Sequence, residues 1–321
     1  PHPLMCSDSI VRDWHGKPYY SLDSYCKNMF HHKCYKIALN ARMSCPNRDG
    51  TLSYGGCTFC SNEAFTPSYC RPSKSVRQQL QEGIEFHRNR YRQADRYLAY
   101  FQSFSNTYAP LDRLKTVFAE AFELPEVAGI IVGTRPDCID GRKLDYLAEL
   151  AQRYYVTIEY GIESCYDKTL QEINRGHDFD CALRAVEATA ALGIPVGAHF
   201  ILGLPGETRA MMQDQVERIN ALPLTTVKFH QLQIFKGTRM AEMYREHPAD
   251  FQFFGVDEYI DFVIDLLERI RPDLVLERFA SEAPPRYQAG PTWGLIRNEQ
   301  LWSRFECRLR ERDTFQGALF R

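Results

Sequence analysis

The sequence predicts an α/β fold: a partial (β/α)6-type TIM barrel with a small C-terminal α/β extension. Three observations carry this. Short β-rich runs alternate with helix-length segments along the 321 residues, the order that builds parallel βαβ units. Each run that can be read at period two has one apolar and one polar face. The composition, 44% apolar and 25% charged, is that of a globular chain with a substantial core and excludes collagen-like, coiled-coil and wholly disordered classes. A doubly wound open sheet is the alternative for the same order of elements.

The runs, in order, are Tyr35–Ala41, Tyr97–Ser103, Val127–Gly133, Tyr155–Ile162, Ile194–Leu202, Thr226–Phe235 and Asp273–Phe279. Helical segments are expected near 74–92, 111–122, 141–153, 178–192, 208–221, 256–270 and 297–310. This divides the chain into an N-terminal extension (1–34), the barrel core (35–240) and a C-terminal extension (241–321). In the fourth run Val156, Ile158, Tyr160 and Ile162 share one face, and Thr157, Glu159, Gly161 and Glu163 the other. Gln102, Arg135, His199, Lys228 and His230 fall on or at the end of the corresponding polar faces of neighbouring runs. A closed barrel fills its lumen with branched apolar layers, and burying so many unpaired polar groups costs a few kcal/mol each. The polar face is therefore expected to line a wet or ligand-filled cavity.

Net charge is −2, from 39 Lys+Arg against 41 Asp+Glu, so no global field pulls the chain toward nucleic acid. No apolar run approaches the roughly 20 residues that span a bilayer, and the first residues lack the apolar stretch of a signal peptide. A cytoplasmic protein without membrane partners is expected. In that setting eleven cysteines argue for metal ligation before disulfides.

Three of them stand out. ARMSCPNRDGTLSYGGCTFCSNEAF places Cys45, Cys57 and Cys60 in a C-x11-C-x2-C array within a loop rich in Gly, Asn, Asp and Pro. Three thiolates on a cubane cluster leave one iron open for a reactive ligand. Zinc, which usually wants four ligands, and a dithiol redox pair, which leaves Cys45 unexplained, remain alternatives on spacing alone. The other cysteines, Cys26, Cys34 and Cys70 included, match no cluster spacing, and no second cluster is expected.

The motifs SCPNRDGT, GGCTFC, RYLAYFQSFSNTYA, VGTRPDCI, EYGIES, INRGHDF and HFILGLPGET together resemble the YhcC/YtqA-like radical S-adenosylmethionine enzymes, relatives of the radical domain of the Elongator catalytic subunit. The likeness runs from GKPYYSLDSY into the C-terminal third. Most radical enzymes use C-x3-C-x2-C; the eleven-residue spacer here is that of the resembled family.

The resemblance implies a [4Fe-4S] cluster on Cys45, Cys57 and Cys60, and S-adenosyl-L-methionine chelated to its open iron. It implies Phe59 beside cluster and adenine, and Gln102 and Ser103 near the methionine amine. Glu159 and Glu163 would stand toward ribose or amine, with Gly161 between them allowing close approach to the backbone. Arg175 would stand toward the carboxylate, and Gly203 in the turn of Gly197–Glu207 on the adenine side. Arg135, His199, Lys228 and His230 remain as substrate candidates. The implied chemistry is reductive cleavage to a 5′-deoxyadenosyl radical that takes hydrogen from substrate, with an electron donor such as flavodoxin or ferredoxin.

The resemblance also points to tRNA, in particular the C5 side chain of a wobble uridine. Segment 71–96, with seven Lys/Arg against three acids, and the arginine-rich stretch 269–321 offer phosphate contacts or, alternatively, solvated helix faces. A different class of reading is an iron–sulfur partner protein that assists another enzyme without turning over itself.

Overall fold

The computed structural model describes residues 13–90 and 95–321. Ser21 caps α1 (Leu22–Phe30) by accepting from the Ser24 N–H, and β1 (Cys34–Leu39) follows. The chain then alternates: α2 (Val76–Arg90), β2 (Arg96–Phe101), α3 (Leu111–Ala119), β3 (Val127–Thr134), α4 (Gly141–Ala151) and β4 (Tyr155–Glu163). Next come α5 (Asp167–Glu172), α6 (Phe179–Ala191), β5 (Val196–Leu202), α7 (Arg209–Ala221) and β6 (Thr226–Gln231). It closes with α8 (Arg239–Glu246), α9 (Val256–Arg269), β7 (Val275–Arg278) and α10 (Asn298–Glu311). Asp140, Asp178, Thr208 and Thr238 cap α4, α6, α7 and α8 through their side chains, which is why those helices begin where they do.

All seven strands form one sheet in chain order, each neighbour parallel. The sheet curls: Lys36 on β1 reaches Glu277 on β7 at 2.6 Å across the lumen. The result is the partial barrel, with a seventh strand supplied from the segment assigned to the C-terminal extension. The sixth run is shorter than its sequence suggests. β6 ends at Gln231, and Phe235 lies beyond it, paired in an isolated bridge with Gln288.

The outer faces pack on the helices in one core that includes Ile37, Phe101, Val132, Ile158, Phe200 and Phe229. The lumen is closed from below by the N-terminal segment. Tyr20 and Tyr25 join Leu98, Tyr100, Ile131, Tyr155 and Val275 in a separate apolar cluster. Gln316 holds that plug from the C-terminal end, accepting from the Tyr20 N–H and donating to the Leu274 and Arg271 carbonyls. The opposite end of the lumen, at the C-terminal ends of the strands, is open, which is where barrel enzymes place their chemistry.

Candidate active site

The cysteine loop lies over that open end and is bolted to the segment after α5. Asn47 Nδ2 donates to the Asn174 and Arg175 carbonyls, and Asn174 Nδ2 to the Gly56 carbonyl. The Thr58 N–H donates to Ile173 O at 3.0 Å, and the Met240 N–H to Thr58 O at 2.9 Å. Gly50, Gly55 and Gly56 all adopt positive φ, which lets so short a loop turn back on itself.

Cys45, Cys57 and Cys60 line one cavity of about 250 Å³, together with Phe59, Gln102, Glu159, Glu163, Arg175, His199, Lys228 and His230. Cys57 is the focus. Arg175 Nη1, Asn47 Nδ2 and Arg135 Nη1 point at its sulfur from 3.3, 3.6 and 3.9 Å. Burial works against the Arg175 charge, but Cys57 and Glu163 more than offset this and hold the guanidinium above its usual range. Arg48 is raised in the same sense, against burial, by Cys60, Cys45 and Cys57. Burial pushes the Cys60 thiol up.

Three guanidinium groups around three sulfurs suit a sulfur-rich group of net negative charge, and N–H donors to sulfur tune such a centre. Asn47 Oδ1, Thr58 Oγ1 and Arg175 Nε are buried in and beside the cysteine loop without hydrogen-bond partners, and of these residues Arg175 lines the cavity. Among the described residues no three His, Cys, Asp or Glu side chains converge to hold one metal ion. A cubane places each thiolate on a different iron and asks for no such convergence. The donor set therefore fits the cluster.

Glu163 ends β4 with φ +73°, an uncommon conformation for a non-glycine residue. The β4–β5 register slips between Gly161 and Glu163, and this bulge turns Glu163 toward Arg175 Nη2 at 3.5 Å. Gly161 lines the same cavity and also leaves room for that arrangement. A Cβ there would stand 2.5 Å from Glu163 Oε1 and 2.7 Å from Arg175 Nη2.

Deeper in the lumen lies a second layer, built of ion pairs. Glu159 is engaged at both oxygens, by Lys36 at 2.7 Å and by Lys228 at 2.7 Å and His199 at 3.0 Å. Glu277 bridges the same two lysines at 2.6 and 2.7 Å. Burial opposes the Glu159 charge, yet Lys228, Lys36 and His199 hold its carboxyl well below the usual range. The Lys228 ammonium also sits 4.5 Å from the Tyr100 ring centre, a favourable desolvated cation–π contact.

The other expected site residues take the following places. Glu159 is the hub of an ion network, and Lys228 is locked within it. Arg135 belongs to the cysteine end, forked onto Asp137 at 2.8 and 2.7 Å. Ser103 is buried beside the cavity but does not line it, whereas Ser105 does. Gly203 lines an adjoining cavity with Phe254 and Trp293. Phe59, Gln102, Glu163, Arg175, His199 and His230 line the main cavity. Sequence reading missed Lys36 and Glu277.

Part of each basic segment pairs within the molecule. Lys74, Arg77 and Arg88 pair with Glu82, Glu123 and Glu126; Arg92 lies outside the described residues. Arg304, Arg308 and Arg312 stitch α10 to α9 through Asp257, Asp261 and Asp265. Among the described residues no helix is long and apolar enough to cross a membrane.

Residues 51–219 match the radical SAM superfamily and residues 224–307 its C-terminal domain. Over 304 residues the chain is 35% identical to YtqA of Bacillus subtilis, covering 95% of this chain and 93% of that protein. It is 34% identical to YhcC of Escherichia coli, covering 81% and 82%. A stretch of 149 residues is 25% identical to tRNA uridine(34) acetyltransferase of Methanocaldococcus infernus, 46% of this chain and 27% of that one. Among solved structures, archaeal Elp3 of the same organism superposes with TM-score 0.66 at 14% identity, over 88% of this chain and 64% of that chain. The chain belongs to the radical SAM superfamily, among its YhcC/YtqA-like members. It is an enzyme of that class, whose cofactors are a [4Fe-4S] cluster and S-adenosylmethionine.

Proposed function

We propose that Cys45, Cys57 and Cys60 hold the cluster, and that the radical made at this site modifies tRNA at the side chain of a wobble uridine. The observation that carries the first part is the single cavity lined by all three thiols, with three N–H donors converging on Cys57. When bound, the reduced cluster and the sulfonium supply a 5′-deoxyadenosyl radical able to take hydrogen from unactivated carbon.

The chain's own residues do the rest. Arg175 and Arg135 neutralise negative charge at the sulfurs, and Asn47 fixes the loop. Glu163, held by its bulge beside Arg175, offers a carboxylate to the cofactor's amine. Gln102 at the end of β2 and Phe59 on the loop complete the walls. The ion network beneath presents a fixed polar floor that needs no reorganisation during reaction. A one-electron donor of the flavodoxin or ferredoxin kind would approach the loop from outside.

Similarity to the tRNA uridine(34) acetyltransferase supports an RNA substrate. The test is anaerobic reconstitution with dithionite and S-adenosylmethionine, then incubation with RNA from a strain lacking the protein. Release of 5′-deoxyadenosine together with a changed nucleoside by mass spectrometry is expected. No 5′-deoxyadenosine from a fully loaded protein overturns the radical assignment. Its release with unchanged RNA overturns the tRNA assignment alone.

A further inference from the structure

The floor network is electrically closed: two lysines, Lys36 and Lys228, against two glutamates, Glu159 and Glu277. Besides the arginines of the cysteine end, a further cation stands beside this network. Arg278 ends β7 and lines the lumen, yet among the described residues no carboxylate pairs with it.

Its placement has a structural cause. The β6–β7 register slips between Val227 and Lys228, so that Val227 pairs with Leu276 and Lys228 with Arg278. Glu277 is the extra residue of a β-bulge. Consecutive strand residues normally face opposite sides, but the bulge lets Glu277 and Arg278 both serve the lumen, the kind of re-aiming that bulges perform beside active sites.

Two more polar groups stand on the same wall. Ser281 is 4% exposed, lines the cavity, and its Oγ has no hydrogen-bond partner. Its backbone is clamped by Gln231, which accepts from the Ser281 N–H at 2.8 Å and donates to its carbonyl at 2.7 Å. Gln233 also lines the cavity; its Nε2 donates to the same carbonyl, while its Oε1 is buried without a partner. Unpaired buried polar atoms are costly and call for an explanation.

We propose that Arg278, Ser281 and Gln233 form the substrate-recognition wall. Arg278 would take an anionic oxygen group, and Gln233 Oε1 and Ser281 Oγ an adjacent N–H or O–H of the same molecule. A nucleotide, with its phosphate and base N–H, has this pattern; a small carboxylic acid shares the anionic half. His230, beside this wall, is kept neutral by burial with His199, Arg278 and Lys228 nearby, so it does not compete for the anion. The wall rests on, and deepens, the proposed reading, because it faces the cysteine loop across one cavity.

The test is calorimetric titration of the cluster-loaded full chain with uridine 5′-monophosphate, uridine and orotate. At least one anion binds, and Arg278→Gln weakens it at least about tenfold. Arg278→Lys retains part of the affinity, and Ser281→Ala weakens uridine and uridine monophosphate alike. Preference for the monophosphate over uridine assigns a phosphate; preference for orotate assigns a carboxylate. Failure of both anions to bind, or equal binding by Arg278→Gln, overturns the proposal. Should thermal melting show Arg278→Gln to be misfolded, Ser281→Ala and the wild-type preference for anion over uridine decide it. Absence of 5′-deoxyadenosine from the same loaded preparation would refute the radical reading and leave the binding result intact.

Discussion

The two ends of the lumen are both charged and both largely buried, yet they are built on different terms. In the floor, Glu159 and Glu277 divide two lysines between them, and His199 completes the ring of partners. At the mouth, three guanidinium groups outnumber their carboxylate partners and turn toward thiols, Glu163 adopts a strained backbone, and Asn47 Oδ1, Thr58 Oγ1 and Arg175 Nε keep unused hydrogen-bonding capacity. A network whose charges pair within the protein sets geometry, although Glu277 Oε2 is buried there without a hydrogen-bond partner. A site that leaves donors directed at sulfur is suited to something that is not protein. The contrast separates structural charge from functional charge where residue type alone cannot, since Glu159 and Glu163 lie four residues apart on one strand face.

The largest expected effect is at the mouth. Cys57→Ala should abolish 5′-deoxyadenosine release while leaving the thermal melt of the apoprotein nearly unchanged; an undiminished yield would remove Cys57 from the ligand set.

The floor should show the reverse pattern. Glu159→Gln leaves buried lysines short of a counter-charge, which costs about 3–5 kcal/mol for a broken buried pair; urea unfolding measures this. The sign with pH follows from the lowered carboxyl of Glu159. Its contribution is present above the ordinary glutamate range and is lost as pH falls through the lower folded value. The variant's acid limb should therefore be flatter than that of the wild type, and parallel limbs would contradict the network.

Arg175→Lys tests the boundary between the two ends. A lysine cannot reproduce the fork to Cys57, the Gly161 carbonyl and Glu163. Iron retention should fall roughly 10–100-fold, as for other groups that orient metal ligands, with little loss of fold. Retention equal to wild type would make Arg175 scaffold only.

The smallest effect is expected at Glu207, outside both ends. Burial raises its carboxyl, against hydrogen bonds from Ser164, Thr169 and Gln215. A raised folded value means stability is full below the ordinary glutamate range and declines as pH rises through the folded value. Glu207→Gln should flatten that alkaline decline in urea unfolding between acid and neutral pH, and no change in slope would refute it.

Much of the architecture is legible in the sequence because period and polarity suffice for it. The seven runs become seven strands, and the polar face of Tyr155–Ile162 does line the lumen. The cysteine loop is legible from spacing and glycine content. What escapes is tertiary. Lys36 and Glu277 sit in short runs with no local sign that the sheet curls enough for β1 to meet β7. The bulge that exposes Arg278 to the lumen leaves no mark in a four-residue strand. Ser103 and Ser105 flank Phe104, whose backbone has φ +67°, and of the two only Ser105 lines the cavity. Tyr20 and Tyr25 lie in a segment that reads as an extension, yet they close the barrel.

In the proposed site three thiolates leave one iron for the sulfonium donor. Electron paramagnetic resonance of the reduced, reconstituted protein tests it directly. A [4Fe-4S] signal that changes when S-adenosylmethionine is added, and that is lost in Cys57→Ala, is the predicted result; a signal indifferent to S-adenosylmethionine would contradict the account.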